Sequence, residues 1–319
     1  MSTAEIEFRA MGSEIRIVVG DPGLDRLPAP AEALASARAW IEDFDRRLSR
    51  FVPGSELCRL NADPRELVPA SPLLRAVVAA GVWAAGRSGG LVDPTLVGAL
   101  EDAGYRASRR DAAPVALAEA LRAAPPRRAA TPAAAGRWRA VRVDDALGVI
   151  ERPPGLRLDT GGTGKGLAAD ALLLRLSGYG RVAVDCGGDI RVGGALAQRE
   201  PFDVEIRHPL THDVAMRIAL AGGGIATSGL DVNVWRRAGG TFAHHLIDPG
   251  SGASAWTGLI GATALAPTAL EAETLSKTAL LLGPGAAARV LGEHGGIVIR
   301  DDGSAQAFGV LAGPAAVAA

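Results

Sequence analysis

Residues 14–19 alternate polar and apolar (Glu-Ile-Arg-Ile-Val-Val), and Gly20 ends the run, which predicts a β-strand. The period then lengthens. Residues 29–48 are rich in alanine and set Trp40, Phe44 and Leu48 four apart, so a long helix with one apolar face is expected. A second helix is expected over residues 73–85. Across residues 106–137 arginine, alanine and proline interleave, and Pro125-Pro126 interrupts regular backbone. That segment reads as a variable, surface-exposed insertion. From Val141 onward strands dominate, broken by one helix starting near Gly164. Strands are expected at 181–185, 203–207, 215–220 and 242–247. A helix over 268–282, a shorter one over 285–291 and a closing strand at 297–300 follow. Helices early and late with strands between them predict an α+β fold with mixed sheets.

Composition narrows the function more than the fold. With 319 residues the chain can form one large domain or two medium ones around a substantial core. A hydrophobic fraction of 48% and a formal charge of -1 suit an ordinary globular protein and give no support to nucleic-acid binding, which calls for a basic surplus. Aromatics at 4% argue against extended base-stacking platforms. Cys58 and Cys186 lie far apart without metal-ligand spacing, so a reducing compartment is the easier reading. Glu5, Glu7 and Arg9 fall where a signal peptide needs an unbroken apolar segment. No stretch approaches the roughly 18 uncharged apolar residues of a spanning helix. A cytoplasmic protein is expected.

The strongest local signal is Leu158-Asp-Thr-Gly-Gly-Thr-Gly-Lys-Gly166, where a strand-like entry meets a glycine cluster and a helix leaves from it. Glycines let backbone approach a ligand, and a helix N-terminus offers free N–H groups and partial positive charge to an anion. Lys165 adds a full charge. The spacing is neither that of a P-loop nor that of a dinucleotide-binding fingerprint. The bland alternative is a tight strand-to-helix turn. The second signal is Phe242-Ala-His-His-Leu-Ile-Asp-Pro-Gly-Ser-Gly252. Strand alternation sends His244 and His245 to opposite faces, so one of them at most enters a site as a general base. The alternative there is an ordinary strand and Asp-Pro-Gly turn. Three further strings, around Asp93-Pro94-Thr95, Asp185 to Ile190 and Thr227-Ser228-Gly229, are turns when taken singly.

Taken in order, these pieces resemble one family, the FAD:protein FMN transferases of the ApbE family. The resemblance runs from Met11-Gly12-Ser13 through residues 49–61, 90–95, 158–170, 186–194, 227–229, 245–252 and 272–283, and leaves 106–137 uncovered. It implies a single domain over residues 1–319 with T-fold-type mixed sheets flanked by helices. It also implies an enzyme that cleaves FAD at its pyrophosphate, attaches FMN to a Thr or Ser hydroxyl of a target protein and releases AMP. By resemblance, Met11, Phe51, Leu91, Val92, Asp93, Asp159, Lys165 and Ile247 would line the FAD site. His245, with Asp248 behind it in sequence, is the candidate base.

In the family an Ala-Asp-x-x-x-Thr stretch supplies a carboxylate and a hydroxyl to Mg²⁺, joined by a loop carbonyl that would here be that of Gly162. This chain has Ala272-Glu273-Thr274-Leu275-Ser276-Lys277 instead. Glu273 retains oxygen donors, whereas a charged Lys277 has no lone pair to offer. Glu273 and Lys277, four apart, suit a helical ion pair. Leu270, Leu280 and Leu281 put that pair inside an apolar stripe rather than on a solvated face. Two arrangements follow: the Lys277 ammonium takes over part of the metal's charge, or Mg²⁺ is held by Glu273, Ser276 and FAD phosphates. A pyrophosphatase that gives FMN and AMP, and a non-catalytic FAD-binding protein, stand as alternatives to the transferase.

Overall fold

The computed structural model describes residues 3–23, 27–109, 115–237 and 239–312. Its centre is an eight-stranded sheet whose strands lie side by side in chain order: β1 (Ala4–Ala10), β2 (Ser13–Val19), β3 (Val182–Cys186), β4 (Asp189–Gly193), β5 (Gly223–Gly229), β6 (Leu259–Ala266), β7 (Gly296–Arg300) and β8 (Ala305–Phe308). Each neighbouring pair is antiparallel. The α+β expectation holds, and the mixture is one of helices with sheets rather than of parallel with antiparallel strands.

Alternation sorts the sheet's side chains into two layers. Ile15, Ile17 and Val19 of β2, with Val182, Val184 and Cys186 of β3, point to the helical side. There they meet Leu34, Ile41, Phe44 and Leu48, which recur on one face of α1 (Pro30–Leu48). The other face carries Val18, Ala183 and Val192 against Ile206, Met216 and Ile218. Those last three come from a hairpin of Phe202–Arg207 with Val214–Leu220. Side-chain oxygens start three helices: Ser55 accepts from Cys58 N–H at α2 (Glu56–Ala62), Ser71 from Leu74 N–H at α3 (Pro72–Arg87), and Thr268 from Glu271 N–H.

Two helices matter most for the site. The N-terminus of α4 (Gly164–Arg175) has no side-chain cap of its own, and α5 (Ala269–Leu282) crosses it closely. A Cβ on Gly166 would lie 2.7 Å from the Ala269 carbonyl oxygen, so only glycine permits the crossing. The two helices cap each other. Asp170 of α4 accepts from Ala269 and Leu270 N–H, each at 2.9 Å, while Glu273 of α5 accepts from Gly166 N–H at 2.8 Å.

Two expectations need correction. Within residues 106–137 the helix Leu117–Arg122 buries Leu117 and Ala120 in the core beneath α5, and Ala130 N–H donates to the Leu281 carbonyl at 2.8 Å. Proline forbade long regular structure there but did not forbid packing, so residues 115–137 are anchored rather than wholly exposed, while residues 110–114 lie outside the described residues. The strand expected at 242–247 stops as Phe242–His244, paired with Val234–Arg236, because the chain turns back and Ala255 N–H donates to the Leu246 carbonyl. Both cysteines are free thiols. Among the described residues no helix is long and apolar enough to cross a membrane.

Close helix–sheet packing gives a direct test. A Cβ on Gly224 would collide with the Thr268 backbone, whereas one on Gly86 in α3 meets nothing within 4 Å. Gly224→Ala is expected to cost about 1–3 kcal/mol in urea unfolding. Gly86→Ala should be neutral or add about 0.5–1 kcal/mol. Equal unfolding midpoints for the two variants would contradict this packing.

Candidate functional site

The glycine loop is held from three sides. Asn61, which closes α2, binds Leu158 in both directions: its Nδ2 donates to the Leu158 carbonyl at 2.8 Å, and its Oδ1 accepts from Leu158 N–H at 2.7 Å. Asp159 N–H donates to the Pro94 carbonyl at 2.8 Å, so the loop runs beside the segment that follows α3. The Asp159 carboxylate accepts from Gly161 N–H at 2.7 Å through Oδ1 and pairs through Oδ2 with Arg50 Nε at 2.6 Å. Thr160 reaches back to the Leu48 carbonyl at the end of α1 at 3.2 Å. Gly164 N–H then closes the first turn of α4 on the Thr160 carbonyl. The loop is thus a rigid platform at a helix N-terminus.

A charged cluster surrounds that N-terminus. Lys165 keeps 24% of its side chain accessible and pairs with Asp189, which opens β4 and is fully buried with Oδ1 lacking a partner. The Asp189 and Glu273 carboxylates hold the Lys165 pKa above its ordinary value against the opposing effect of burial. Glu273 is also buried. Its Oε1 accepts from Lys277 Nζ at 2.8 Å while Oε2 takes the Gly166 N–H. Burial, with repulsion from Asp189, raises the Glu273 pKa to about 7, and Lys277 and Lys165 oppose that rise. His245 faces the same lysines. Burial first, then Lys277 and Lys165, push its pKa down to about 4, so the ring is neutral at pH 7. Its Nδ1 is buried without a partner. Two ammonium groups, a helix N-terminus and a neutral imidazole make a site for a polyanion beside a proton acceptor.

The chain matches the ApbE family over residues 11–299. It belongs to the ApbE family. It is 30% identical over 304 residues to the FAD:protein FMN transferase of Klebsiella pneumoniae, covering 92% of this chain and 83% of that one. A Salmonella typhimurium protein of the same name is 28% identical over 305 residues, with 91% and 81% covered. Among solved structures, the ApbE protein of Thermotoga maritima superposes with a TM-score of 0.75 at 22% identity, covering 96% of this chain and 97% of that one. The flavinyl transferase ApbE of Pseudomonas stutzeri gives a TM-score of 0.72 at 24% identity, covering 96% and 95%.

The residues expected to bind FAD in this ApbE chain fall into connected groups. Val92 Cγ1 lies beside Gly162, since a Cβ on that glycine would come within 3.8 Å of it, and Leu91 is buried next to it in sequence. Asp93 Oδ1 accepts from Thr95 N–H at 2.8 Å and from its hydroxyl at 2.7 Å, which shapes the turn into Pro94. Phe51 meets Tyr105 edge-on at 5.2 Å, Tyr105 stacks on Trp235 at 5.6 Å, and Ile247 packs into the same cluster. Arg50 joins this aromatic group to the loop: its guanidinium covers Phe51 at 4.4 Å while holding Asp159. Met11 stands at the β1–β2 turn with φ of 50°, a strained position for a non-glycine residue, and its N–H donates to Asp45 at 2.9 Å.

Asp248 does not meet His245. Its oxygens accept from Thr131 N–H at 2.8 Å, Gly250 N–H at 3.1 Å and the Ser251 hydroxyl at 2.7 Å, so the carboxylate builds the Asp-Pro-Gly turn. His244 points away from the site, edge-on to Trp256 at 4.7 Å, as strand alternation requires. Sequence reasoning passed over Asp189 and Tyr105 as site residues. Asp189 carried a signal, an acid opening a strand after Gly187-Gly188. Tyr105 carried none.

The donor set does not fit Mg²⁺, which needs several hard oxygen ligands. Both Glu273 oxygens are engaged and an ammonium stands on one of them. The Ser276 hydroxyl is committed at 2.8 Å to the Ser228 hydroxyl and at 3.0 Å to the Glu273 carbonyl. A second cation about 4 Å from the Lys277 ammonium would meet a repulsion of about 4 kcal/mol per unit charge in a partly buried site. Among the described residues no group of three or more His, Cys, Asp or Glu side chains is arranged to hold a metal.

The Asn61 clamp is testable. Asn61→Ala leaves the Leu158 N–H and carbonyl without their partners, a loss of about 2 kcal/mol or more. Hydrogen exchange should show the Leu158 amide losing protection while the α1 amides keep theirs. Unchanged protection at Leu158 would contradict the clamp.

Proposed function

We infer that this chain transfers FMN from FAD to a Ser or Thr hydroxyl of a target protein and releases AMP. Lys165 and Lys277 at the N-terminus of α4, with their charge acting on a neutral His245, carry this reading, since they combine a polyanion cradle with a proton acceptor. Membership of the ApbE family, with relatives named FAD:protein FMN transferase, supports the same donor and the same class of acceptor.

The acceptor hydroxyl oxygen attacks the phosphorus on the FMN side of the pyrophosphate. The bond to the bridging oxygen breaks, AMP leaves with that electron pair, and His245 takes the hydroxyl proton. Lys165, the free N–H groups of the loop and Lys277 stabilise the negative charge carried by the phosphates. Those phosphates in turn offset the lysine charge that adds to burial in holding the imidazole pKa low. We place the flavin end of FAD along Phe51, Tyr105 and Ile247, and assign Met11, Leu91, Val92, Asp93 and Asp159 to the walls. We read Glu273 and Lys277 as replacements at the family's metal-ligand positions, with Gly162 at the loop carbonyl. Asp248 acts through the turn that follows His245. The two free thiols suit a reducing compartment, which we propose is the cytoplasm.

The reaction is checked by in-gel flavin fluorescence of an acceptor protein incubated with FAD. Transfer should require the acceptor, and His245→Asn should slow it about 10²–10⁴-fold. The neutral imidazole is the active form, so the part of the kcat/KM profile that is removed in His245→Asn should fall near pH 4 rather than near 6.5. AMP released at full rate without any acceptor would make the chain a pyrophosphatase instead.

A further inference from the structure

We propose that the Lys277 ammonium, clamped by Glu273 beside Lys165, supplies the positive charge that the FAD pyrophosphate requires, and that this chain holds its donor without a divalent cation. The inference rests on the reading of the site as an FAD site.

Position comes first. One Glu273 oxygen takes the Gly166 N–H at 2.8 Å and the other takes Lys277 Nζ at 2.8 Å, so a single carboxylate ties the ammonium to the N-terminus of α4. That helix also carries Lys165 in its first turn. The charges of both lysines act on His245. Asp189 Oδ1 and His245 Nδ1 are buried and have no hydrogen-bond partner among the described residues.

Donor capacity comes second. An ammonium has three N–H donors, and the one hydrogen bond found for Lys277 among the described residues goes to Glu273. Two donors remain for phosphate oxygens. The Lys277 side chain is 11% accessible while Glu273 is fully enclosed, so the open side of the pair presents the cation rather than the carboxylate. An anion approaching the pair meets positive charge.

Exclusion comes third. A divalent ion at this point must displace the ammonium from Glu273, and the neighbouring Ser276 hydroxyl faces Ser228 on β5. Two fixed ammonium groups together carry the formal charge of one divalent ion, with geometry set by ion pairs to Asp189 and Glu273.

The test uses the whole chain, freed of metal by chelation. Manganese(II) is added alone and then with FAD, and its free EPR signal is compared with that of FAD and manganese without protein. FAD affinity is measured by flavin fluorescence in chelator and in excess Mg²⁺. The signal should not fall on adding protein, and the two affinities should agree within about twofold. Lys277→Met should weaken FAD at least about tenfold, the range of a lost charge-assisted hydrogen bond, and leave riboflavin affinity unchanged. Manganese sequestered by the wild-type protein, FAD affinity raised tenfold or more by Mg²⁺, or wild-type FAD affinity in Lys277→Met would each overturn the proposal. A parallel acceptor assay separates the two readings. Metal-free FAD binding without transfer removes the transferase and keeps the lysine assignment, whereas transfer with Mg²⁺-dependent FAD binding does the reverse.

Discussion

The contact between α4 and α5 sets the geometry on which the rest of the site depends. Each helix begins with N–H groups that have no partner inside it, and each is completed by a carboxylate from the other: Asp170 for α5, Glu273 for α4. The exchange requires the helices to cross at backbone contact, which Gly166 allows. Glu273 takes the Gly166 N–H, Asp159 that of Gly161 and the Thr160 carbonyl those of Thr163 and Gly164, which leaves Gly162 and Lys165 as the N–H groups of residues 161–166 with no hydrogen bond among the described residues. Because Glu273 is also the partner of Lys277, the same contact that joins the helices fixes a cation beside the anion cradle.

The electrostatics follow from that arrangement. Buried ions are expensive unless paired, and here Lys165 pairs with Asp189 and Lys277 with Glu273. The cluster holds its members away from their ordinary titration: Glu273 near 7, His245 near 4. Perturbations of this kind concentrate where charge must develop or be received. Burial lowers the pKa of the His245 imidazole first, and the two lysines lower it further.

Much of this was legible in the sequence where local chemistry decides structure. The long α1, the glycine loop entering α4, and β2, β3 and β7 follow from period and turn residues. Strand β4, Asp-Ile-Arg-Val-Gly, was passed over as a turn because it follows Gly187-Gly188, and β5 and β6 because they are built largely from glycine, alanine, serine and threonine. Their small side chains reflect α5 pressed onto β5 and β6, a tertiary reason that no local propensity encodes. The ends of the apolar stripe in α5 correctly put the Glu273–Lys277 pair inside the fold. Asp248 misled for the opposite reason. Its closeness to His245 in sequence suggested a catalytic pair, while an Asp-Pro-Gly turn satisfies its carboxylate locally. Tyr105 and Arg50 acquire their place only when residues more than fifty apart in sequence meet.

On the proposed function, the FAD pyrophosphate sits at the N-terminus of α4, beside Lys165. The crystal structure of the complex with FAD tests it most directly. The pyrophosphate oxygens should lie within hydrogen-bond distance of Lys165 Nζ and of backbone N–H groups between Gly161 and Gly166. A pyrophosphate bound elsewhere, with the Lys165–Asp189 pair closed off from it, would contradict the account.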